Sequence, residues 1–306
     1  MTAVVDHLRD ACARVADRAQ HVRIDRDAIA AYASSLPTTL AASAPDPETH
    51  LTTGTREELA AFWLTLDAIN FGSGWFPTLR KRSGRSGFFT IASGVRERFE
   101  THGRWSADEL AQITAADIAR AVGQAPEHEL MELFARSLRS LGRHVAAELS
   151  GRFAALIEGP SAVELAERLG CWEAFADAST YDGLTLPFLK RAQIAAADVA
   201  RAGIARFADV HRLTLFADNL VPHVLRLDGV LHFEPELVMR IDREELIEHG
   251  SPEEVEIRAC ALHAVELVVA ARGDTCAAEV DQLLWLRGQQ PVYKASPRHR
   301  SRCTAY

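Results

Sequence analysis

A carboxylate near position 218 narrows the chemistry that this chain could perform. Asp218 and Asn219 precede an apolar run that contains Pro222, and either residue can cap a helix with Pro222 in its first turn. One carboxylate is thereby placed at a helix start. The chain has no glycine-rich P-loop, no G-x-S-x-G elbow and no H-E-x-x-H zinc pair. Carboxylate chemistry in a helical pocket is what the remaining residue types allow.

A second group of chemistry-bearing residues follows an apolar helix predicted from Arg56 to Phe71. Asn70 and Phe71 begin a glycine-rich turn that also contains Trp75. Aromatic rings and an amide on irregular backbone suit a flat heterocycle held by stacking and hydrogen bonds. An aromatic plug that closes the core is the alternative, and composition alone favours it.

Two cationic clusters could meet a phosphate group. Lys190 and Arg191 begin a helical pattern, and the segment from Arg80 to Arg85 is a compact basic loop. Surface solvation explains either cluster about as well. The formal net charge of −8 fits a small ligand better than nucleic acid, because a protein that binds many phosphates normally carries a basic surface.

The elements that must position these residues are predicted to be helices, so the expected fold class is all-α. The stretch from Leu186 to Val230 indicates two apolar helices joined by a short connection. A long helical region is predicted from Leu130 to Ile157. A short strand or another extended segment is predicted from Ser86 to Ile91, because those residues are aromatic, β-branched and bounded by glycine. Helix caps are predicted at Ser106, Thr114, Ser161 and Ser251.

The length of 306 residues and the 48% hydrophobic composition permit a sizeable core. We expect one domain over residues 1–306, with two helical lobes and a pocket between them as its subdivision. The five cysteines are odd in number and widely spaced, so neither a disulfide framework nor a structural zinc site is expected. No cofactor is predicted. The absence of a membrane-length apolar run and of a secretion signal predicts a cytoplasmic protein with no membrane partner.

The central stretch resembles the helix-hairpin-helix DNA glycosylases. The segment from Leu186 to Arg191 lies where that family's Leu-Pro-Gly-Val-Gly hairpin lies, and Asp218 with the run from Val224 to Arg226 lies where its catalytic aspartate segment lies. The hairpin glycines are missing here. Without them the backbone amides cannot closely approach a DNA phosphate, so the resemblance supports glycosidic-bond chemistry and argues against duplex DNA as the substrate.

A closer resemblance covers nearly the whole chain. Five segments are similar to the queuosine salvage proteins, namely Asp67 to Phe71, Lys190 to Ile194, Phe216 to Asp218, Glu254 to Arg258 and His299 to Tyr306. The resemblance implies a DNA-glycosylase-like fold with a helix-hairpin-helix-like core. It also implies hydrolysis of queuosine 5′-monophosphate to release queuine for salvage into tRNA, and a C-terminal tail that folds back to the rim of the pocket.

The resemblance further implies roles for individual residues. Asp218 is expected to stabilise an oxocarbenium-like sugar, either through the attacking water or directly. Queuine is a 7-deazaguanine without the ring nitrogen that purine glycosylases can protonate, so Asp67 and Asn70 are expected to hydrogen-bond other edges of the leaving base. Asp198 and Asp209 are alternative acids. The residues expected to bind the substrate are Asp67, Asn70, Phe71, Trp75, Lys190, Arg191, Asp198, His223, Arg226 and Tyr306.

Departures from the family pattern leave some questions open. Relatives generally read Phe-Ala-Asp-Tyr-Arg-x-Pro-Gln, whereas this chain has Asn219, Leu220 and His223 after Asp218. The preference for nucleotide over nucleoside therefore stays open, and the oligomeric state is not fixed by the sequence. Two other functions are alternatives: a non-catalytic helical protein that binds a nucleotide or nucleic acid on a glycosylase scaffold, and a DNA repair glycosylase, which the acidic balance disfavours.

Overall fold

The computed structural model describes residues 3–37 and 45–306, and it confirms the predicted all-α class. The helices are α1 (Val4–Ala16), α2 (Ile29–Ser35), α3 (Arg56–Ala68), α4 (Gly87–His102), α5 (Ala107–Gln112), α6 (Ala115–Val122), α7 (Glu129–Leu149), α8 (Phe153–Leu156), α9 (Ala162–Gly170), α10 (Lys190–Arg201), α11 (Leu220–Leu227), α12 (Pro235–Asp242), α13 (Pro252–Arg272), α14 (Ala277–Arg287) and α15 (Pro291–Lys294). Short 3₁₀ turns cover Phe76–Thr78 and Val210–Arg212.

Four short strands form two antiparallel pairs. β1 (Val22–Ile24) pairs with β4 (Leu231–Phe233), and β2 (Ser179–Tyr181) pairs with β3 (Leu184–Leu186). The β2–β3 hairpin turns at Asp182 and Gly183, which both have positive φ, of 45° and 75°. An Asp-Gly pair is the sequence that such a two-residue turn favours.

The predicted helix starts are confirmed where a side chain caps the first turn. The hydroxyls of Ser106, Thr114, Ser161 and Ser251 each accept a hydrogen bond from the backbone N–H three residues later. Such a cap satisfies an N–H that has no partner within the helix. These boundaries depend on local chemistry, and so they can be predicted from sequence.

The strand or extended segment predicted from Ser86 to Ile91 is wrong, because α4 begins there. The Ser86 hydroxyl accepts a hydrogen bond from the N–H of Phe89 at 3.4 Å and caps the helix. Thr90, Ile91 and Val95 are then buried on one side of it. Aromatic and β-branched composition predicted a strand, but the cap and the helical spacing of the buried residues decide the local structure.

The long helical region predicted from Leu130 to Ile157 is two helices. Ser150 and Gly151 have positive φ, of 52° and 76°, and end α7 before α8 begins. Gly142 stays inside α7 for a packing reason. A Cβ at Gly142 would lie 2.4 Å from the backbone nitrogen of Ala111 and 2.5 Å from the carbonyl oxygen of Ala107. The missing side chain therefore allows α5 to pack closely on α7.

The chain divides into two compact units. The first consists of Met1–Ala42, Asp177–Lys190 and His211–Cys303. Its core surrounds α13, against which α1, α2 and α14 pack. Helix α13 is buried on nearly all sides, and its buried residues include the charged Glu254, Glu256 and Arg258.

A buried carboxylate of α13 in this first unit is structural. Glu256 accepts hydrogen bonds from the backbone N–H groups of Gln20, His21 and Val22 at 3.1, 2.6 and 3.0 Å. The hydroxyl of Tyr181 donates a further bond at 2.8 Å. The carboxylate thereby attaches the entry to β1 and the β2–β3 hairpin to α13.

The second unit consists of Ser43–Ala176, Arg191–Val210 and Thr304–Tyr306. Here α7 is the central helix, with α3, α5, α6 and α8 packed on it. Helix α3 begins at a capping box between Thr55 and Glu58 and is buried along most of its length. The turn after α3 carries the aromatic residues that the sequence singles out.

Candidate functional site

The Asp218 carboxylate lies at the N-terminus of α11, as predicted. Its Oδ1 atom accepts hydrogen bonds from the N–H groups of Leu220 at 2.8 Å and Val221 at 3.2 Å. These groups carry the positive end of the helix dipole, which stabilises a negative charge. The side chain is half-buried, and within the described residues its Oδ2 atom accepts no hydrogen bond. One oxygen fixes the orientation, and the other is available for chemistry.

The backbone around this acid is held on both sides. In the segment from Phe216 to Asn219, which we call the acid loop, the N–H of Phe216 donates to Oδ1 of the buried Asp281 at 3.2 Å. The Asn219 side chain donates to the carbonyl of His299 at 3.0 Å. The carbonyl of Ala217 accepts from Nε of Arg258 at 3.0 Å. These three hydrogen bonds therefore fix the acid loop to the rest of the first unit.

Arg258 belongs to a buried ionic cluster. Its guanidinium is fully buried and forms two parallel bonds with the Asp177 carboxylate, at 3.1 Å and 2.7 Å. The Glu254 carboxylate lies 3.6 Å away, and the Phe188 ring centroid lies 3.9 Å from the guanidinium carbon. Such a two-pronged pair fixes geometry as well as charge. Burial alone would raise the pKa of Glu254. The hydrogen bond from His249 and the charge of Arg258 outweigh burial and lower this pKa to about 2.

The same cluster holds the start of α10. Asp177 accepts the N–H of Lys190 on Oδ2 at 3.0 Å, and its backbone carbonyl accepts the N–H of Leu189 at 3.1 Å. Leu189 has a positive φ of 49°, which is strained for a bulky residue and persists only where its surroundings enforce it. Asp177 thus connects two predicted site segments: it fixes the backbone at Lys190 and, through Arg258, the backbone beside Asp218.

In the second unit, Phe71 and Arg191 lie together. The Arg191 guanidinium carbon lies 4.8 Å from the centroid of the Phe71 ring and 5.7 Å from that of Phe175. Its Nη1 donates to the carbonyl of Ala68 at 2.5 Å, and Phe71 packs edge-on against Phe134 with centroids 5.0 Å apart. Arg191 and Phe71 are both buried. This geometry favours a packing role for the pair.

Asp67 and Asn70 lie at the end of α3. Asp67 is 1% exposed in the last turn, whereas Asn70 is half-buried in the turn that follows. The N–H of Asn70 donates to the backbone carbonyl of Asp67 at 3.2 Å. The backbone therefore holds Asp67 and Asn70 close together at the end of α3, and their role in base recognition stays a prediction.

Trp75 and Tyr306 are buried around the same turn. The indole N–H of Trp75 donates to Oε2 of Glu129 at 2.7 Å. The backbone carbonyl of Tyr306 accepts the N–H of Gly72 at 3.0 Å. Gly72 has a φ of 104°, and a Cβ there would lie 2.7 Å from the Leu130 side chain. The last residue is thus held against the turn that follows Phe71.

His223 and Arg226 contact the C-terminal tail. His223 Nε2 donates to the carbonyl of Tyr293 at 2.8 Å, and burial lowers the pKa of His223 to about 4. Nη2 of Arg226 donates to the carbonyl of Pro297 at 3.2 Å. Both side chains on α11 therefore bind tail backbone, an arrangement that helix patterning alone could not reveal.

The alternative acids have structural partners. Asp198 forms an ion pair with Arg201 at 2.7 Å, one turn along α10. Asp209 accepts the hydroxyl of Ser161 at 2.5 Å and the N–H of Ala162 at 2.6 Å, so it supports the start of α9. Neither residue has the position of Asp218 at the start of α11.

The basic loop is partly neutralised by acidic residues. Arg82 forms a two-pronged ion pair with Glu97, and Arg85 forms an ion pair with Glu48 through one hydrogen bond from Nη2. These contacts favour the surface interpretation for those two arginines. Two surface cavities of the second unit, of about 750 and 500 Å³, are lined by none of the predicted site residues.

Sequence reasoning missed Asp177. A buried arginine needs a carboxylate partner, so Arg258 on an apolar helix was a signal that one existed. Asp177 also stands out as an acid among small and aromatic residues. The pairing itself spans 81 residues and could not be read from local spacing.

Two searches cover the part of the chain that the structure describes. In residues 3–37 and 45–306, no group of three or more histidine, cysteine, aspartate or glutamate side chains could hold a metal ion. Over the same residues, no helix is both long enough and apolar enough to cross a membrane.

Comparison with known proteins covers most of the chain. The family model described as "Queuosine salvage protein" matches residues 49–306. A queuosine 5′-phosphate N-glycosylase/hydrolase from Sphaerobacter thermophilus is 37% identical over 96% of this chain and 95% of its own length. Proteins of the same name from Dictyostelium discoideum and Mus musculus are each 29% identical, over 80% and 58% of this chain and 77% and 58% of their own lengths.

Proposed function

This chain belongs to the queuosine salvage protein family, and we propose that it hydrolyses the N-glycosidic bond of queuosine 5′-monophosphate to release queuine. The relatives that match it over most of their length carry the name of that activity. The structural observation that carries the proposal is the Asp218 carboxylate. One of its oxygens is fixed by the start of α11, while the other accepts no hydrogen bond from a described residue.

Asp218 acts on the sugar in this proposal. Cleavage passes through an oxocarbenium-like ribose, whose positive charge a nearby carboxylate stabilises. Oδ2 accepts a proton from the attacking water as the water oxygen bonds to the anomeric carbon. The electron pair of the broken carbon–nitrogen bond passes to the base nitrogen, which ends with the one proton that the water has lost, so that Asp218 returns to its ionised form. The products are ribose 5-phosphate and queuine.

The leaving base needs stabilisation at its polar edges. We propose that Asp67 and Asn70 supply these hydrogen bonds, because an acid in the last turn of α3 and an amide just after it are joined by a backbone hydrogen bond. Lys190, at the start of α10, is proposed to bind the nucleotide. The buried Phe71, Trp75 and Arg191 are proposed to support the turn after α3 through packing.

The substrate is proposed to be a free nucleotide rather than nucleic acid. The formal net charge of −8 supports this choice, since binding to many phosphates normally needs an excess of lysine and arginine.

The decisive experiment compares the wild type with Asp218→Asn. Asparagine can still accept the N–H groups at the start of α11 and is a good helix cap, so the variant should fold. It cannot take a proton or carry the charge, and we expect turnover to fall by about 10²- to 10⁴-fold. Release of queuine from queuosine 5′-monophosphate is followed by chromatography.

Asp25→Asn is the matched control. The Asp25 carboxylate also accepts an N–H at a helix entry, from Ala28 at 3.2 Å, but it lies outside the acid loop. Its activity should equal that of the wild type. Equal turnover by the wild type and Asp218→Asn would assign the acid elsewhere, with Asp198 as the next candidate. Tight binding without any turnover by the wild type would favour a non-catalytic binding protein.

A further inference from the structure

The C-terminal tail carries an arginine that is held beside the acid loop. Arg298 lies between Pro297, whose carbonyl accepts from Arg226, and His299, whose carbonyl accepts from Asn219. The backbone is thus fixed immediately before and after Arg298. Because Asn219 is the neighbour of Asp218, the tail at this point runs next to the acid. Arg298 itself is partly buried.

The charge of Arg298 is not neutralised by an ion pair. Within the described residues its guanidinium forms neither a hydrogen bond nor an ion pair. Arg300, two residues later, pairs with Glu244 at 3.0 Å. Burial lowers the pKa of the Arg298 guanidinium, and the negative charge of Asp218 acts in the opposite direction. The two side chains therefore interact electrostatically without a direct contact.

Other arginines of the first unit near this loop are already engaged. Arg258 is neutralised by Asp177, and Arg226 donates to the tail and packs 5.6 Å from the centroid of the Phe233 ring. A partly buried cation without a partner is a costly arrangement unless an anion joins it. A guanidinium offers a planar set of donors that matches the oxygens of a phosphate.

We propose that Arg298 binds the 5′-phosphate of the substrate and thereby sets the preference for the nucleotide over the nucleoside. This inference rests on the proposed function. Asp218 acts at the anomeric carbon, and Arg298 holds the other end of the same ribose phosphate. Arg298 is a specificity residue: it contributes binding energy that only the phosphorylated substrate can use.

The test measures kcat/KM for queuosine 5′-monophosphate and for queuosine with the wild type, Arg298→Gln and Arg298→Lys. Arg298→Gln should lower kcat/KM for the monophosphate by about ten- to a hundredfold, because it removes charged hydrogen bonds. The kcat/KM for queuosine should change by less than about twofold, which is a smaller effect than the factor of ten that 1.4 kcal/mol represents. Arg298→Lys keeps the positive charge but lacks the planar set of donors, so it should recover part of the lost kcat/KM for the monophosphate.

Arg300→Gln is the matched control, because it removes a tail arginine that already has a carboxylate partner. It should change neither value. An equal decrease for both substrates with Arg298→Gln would overturn the inference, as would no decrease for the monophosphate. A wild type that hydrolyses neither substrate would refute the proposed function, and the phosphate assignment with it. Urea unfolding of each variant identifies any loss that results from misfolding.

Discussion

Replacing Asp177 by asparagine tests the buried ionic cluster beneath the acid loop. The change keeps the shape of the side chain and removes its charge. Arg258 would then remain fully buried, with Glu254 at 3.6 Å as its nearest carboxylate. Removing one partner of a buried ion pair typically costs about 3–5 kcal/mol, because it leaves a charge without compensation. We expect a loss of that size in the free energy of unfolding.

Urea unfolding followed by tryptophan fluorescence measures this loss, since the chain has five tryptophans. The control is Asp17→Asn, which breaks an ion pair with Arg26 whose side chains are 68% and 55% exposed. Exposed pairs contribute about 0–1 kcal/mol. A loss below about 1 kcal/mol for Asp177→Asn, similar to the control, would show that the cluster is not electrostatically coupled as its geometry indicates.

A double variant separates charge from packing. Asp177→Asn combined with Arg258→Met removes both charges and keeps an extended side chain on α13. Because the desolvation cost of the arginine also disappears, the double variant should be more stable than Asp177→Asn alone. Its activity should nevertheless be lower than that of the wild type, since the carbonyl of Ala217 loses the donor that fixes it beside Asp218. Recovery of stability together with full activity would refute the positioning role.

Two further predictions concern pH and packing. Burial lowers the pKa of His223 to about 4, so as the pH falls from 6.5 to 4 the unfolded chain binds a proton that the folded chain does not. The free energy of unfolding should therefore fall by up to about 1.4 kcal/mol per pH unit in that range. His223→Gln should reduce this slope, as measured by urea unfolding. Gly142→Ala should lower the free energy of unfolding by about 1–3 kcal/mol through overlap with α5, although alanine favours helix by about 1 kcal/mol, whereas Gly159→Ala, with open space around it, should change it by less than about 0.5 kcal/mol.

The parts of this fold that sequence predicts are those decided by neighbours along the chain. Ser251 and Pro252 mark the start of α13, and Asp218 with Pro222 marks the start of α11. In each case a side chain within three residues satisfies the backbone. The wrong prediction at Ser86 also has a local cause, because the hydroxyl of Ser86 caps α4 although the residues that follow have the composition of a strand.

The remaining features depend on contacts between distant segments. The two-pronged pair of Asp177 with Arg258 joins residues 81 positions apart, and the bond from Gly72 to Tyr306 links a turn to the last residue. Residue types indicate that such partners must exist, since buried charges and backbone groups need them. They do not indicate which partner is used. The folding back of the tail from Arg287 to Tyr306 is therefore predicted only by the family resemblance, and its contacts with α11 are not predicted.

The cluster under the acid loop shows why a fold would retain buried charges at all. Apolar replacements of a buried ion pair are often no less stable, so stability alone does not explain Arg258 and Asp177. What an apolar pair could not supply is directional bonding: one arginine donates to a carboxylate and to the carbonyl of Ala217, and that carboxylate accepts the N–H of Lys190. The strained backbone at Leu189 is held by the same aspartate. The cluster therefore fixes the positions of these backbone groups rather than adding stability. Activity should be more sensitive than folding to changes that preserve charge but alter geometry, and Arg258→Lys is the clearest case.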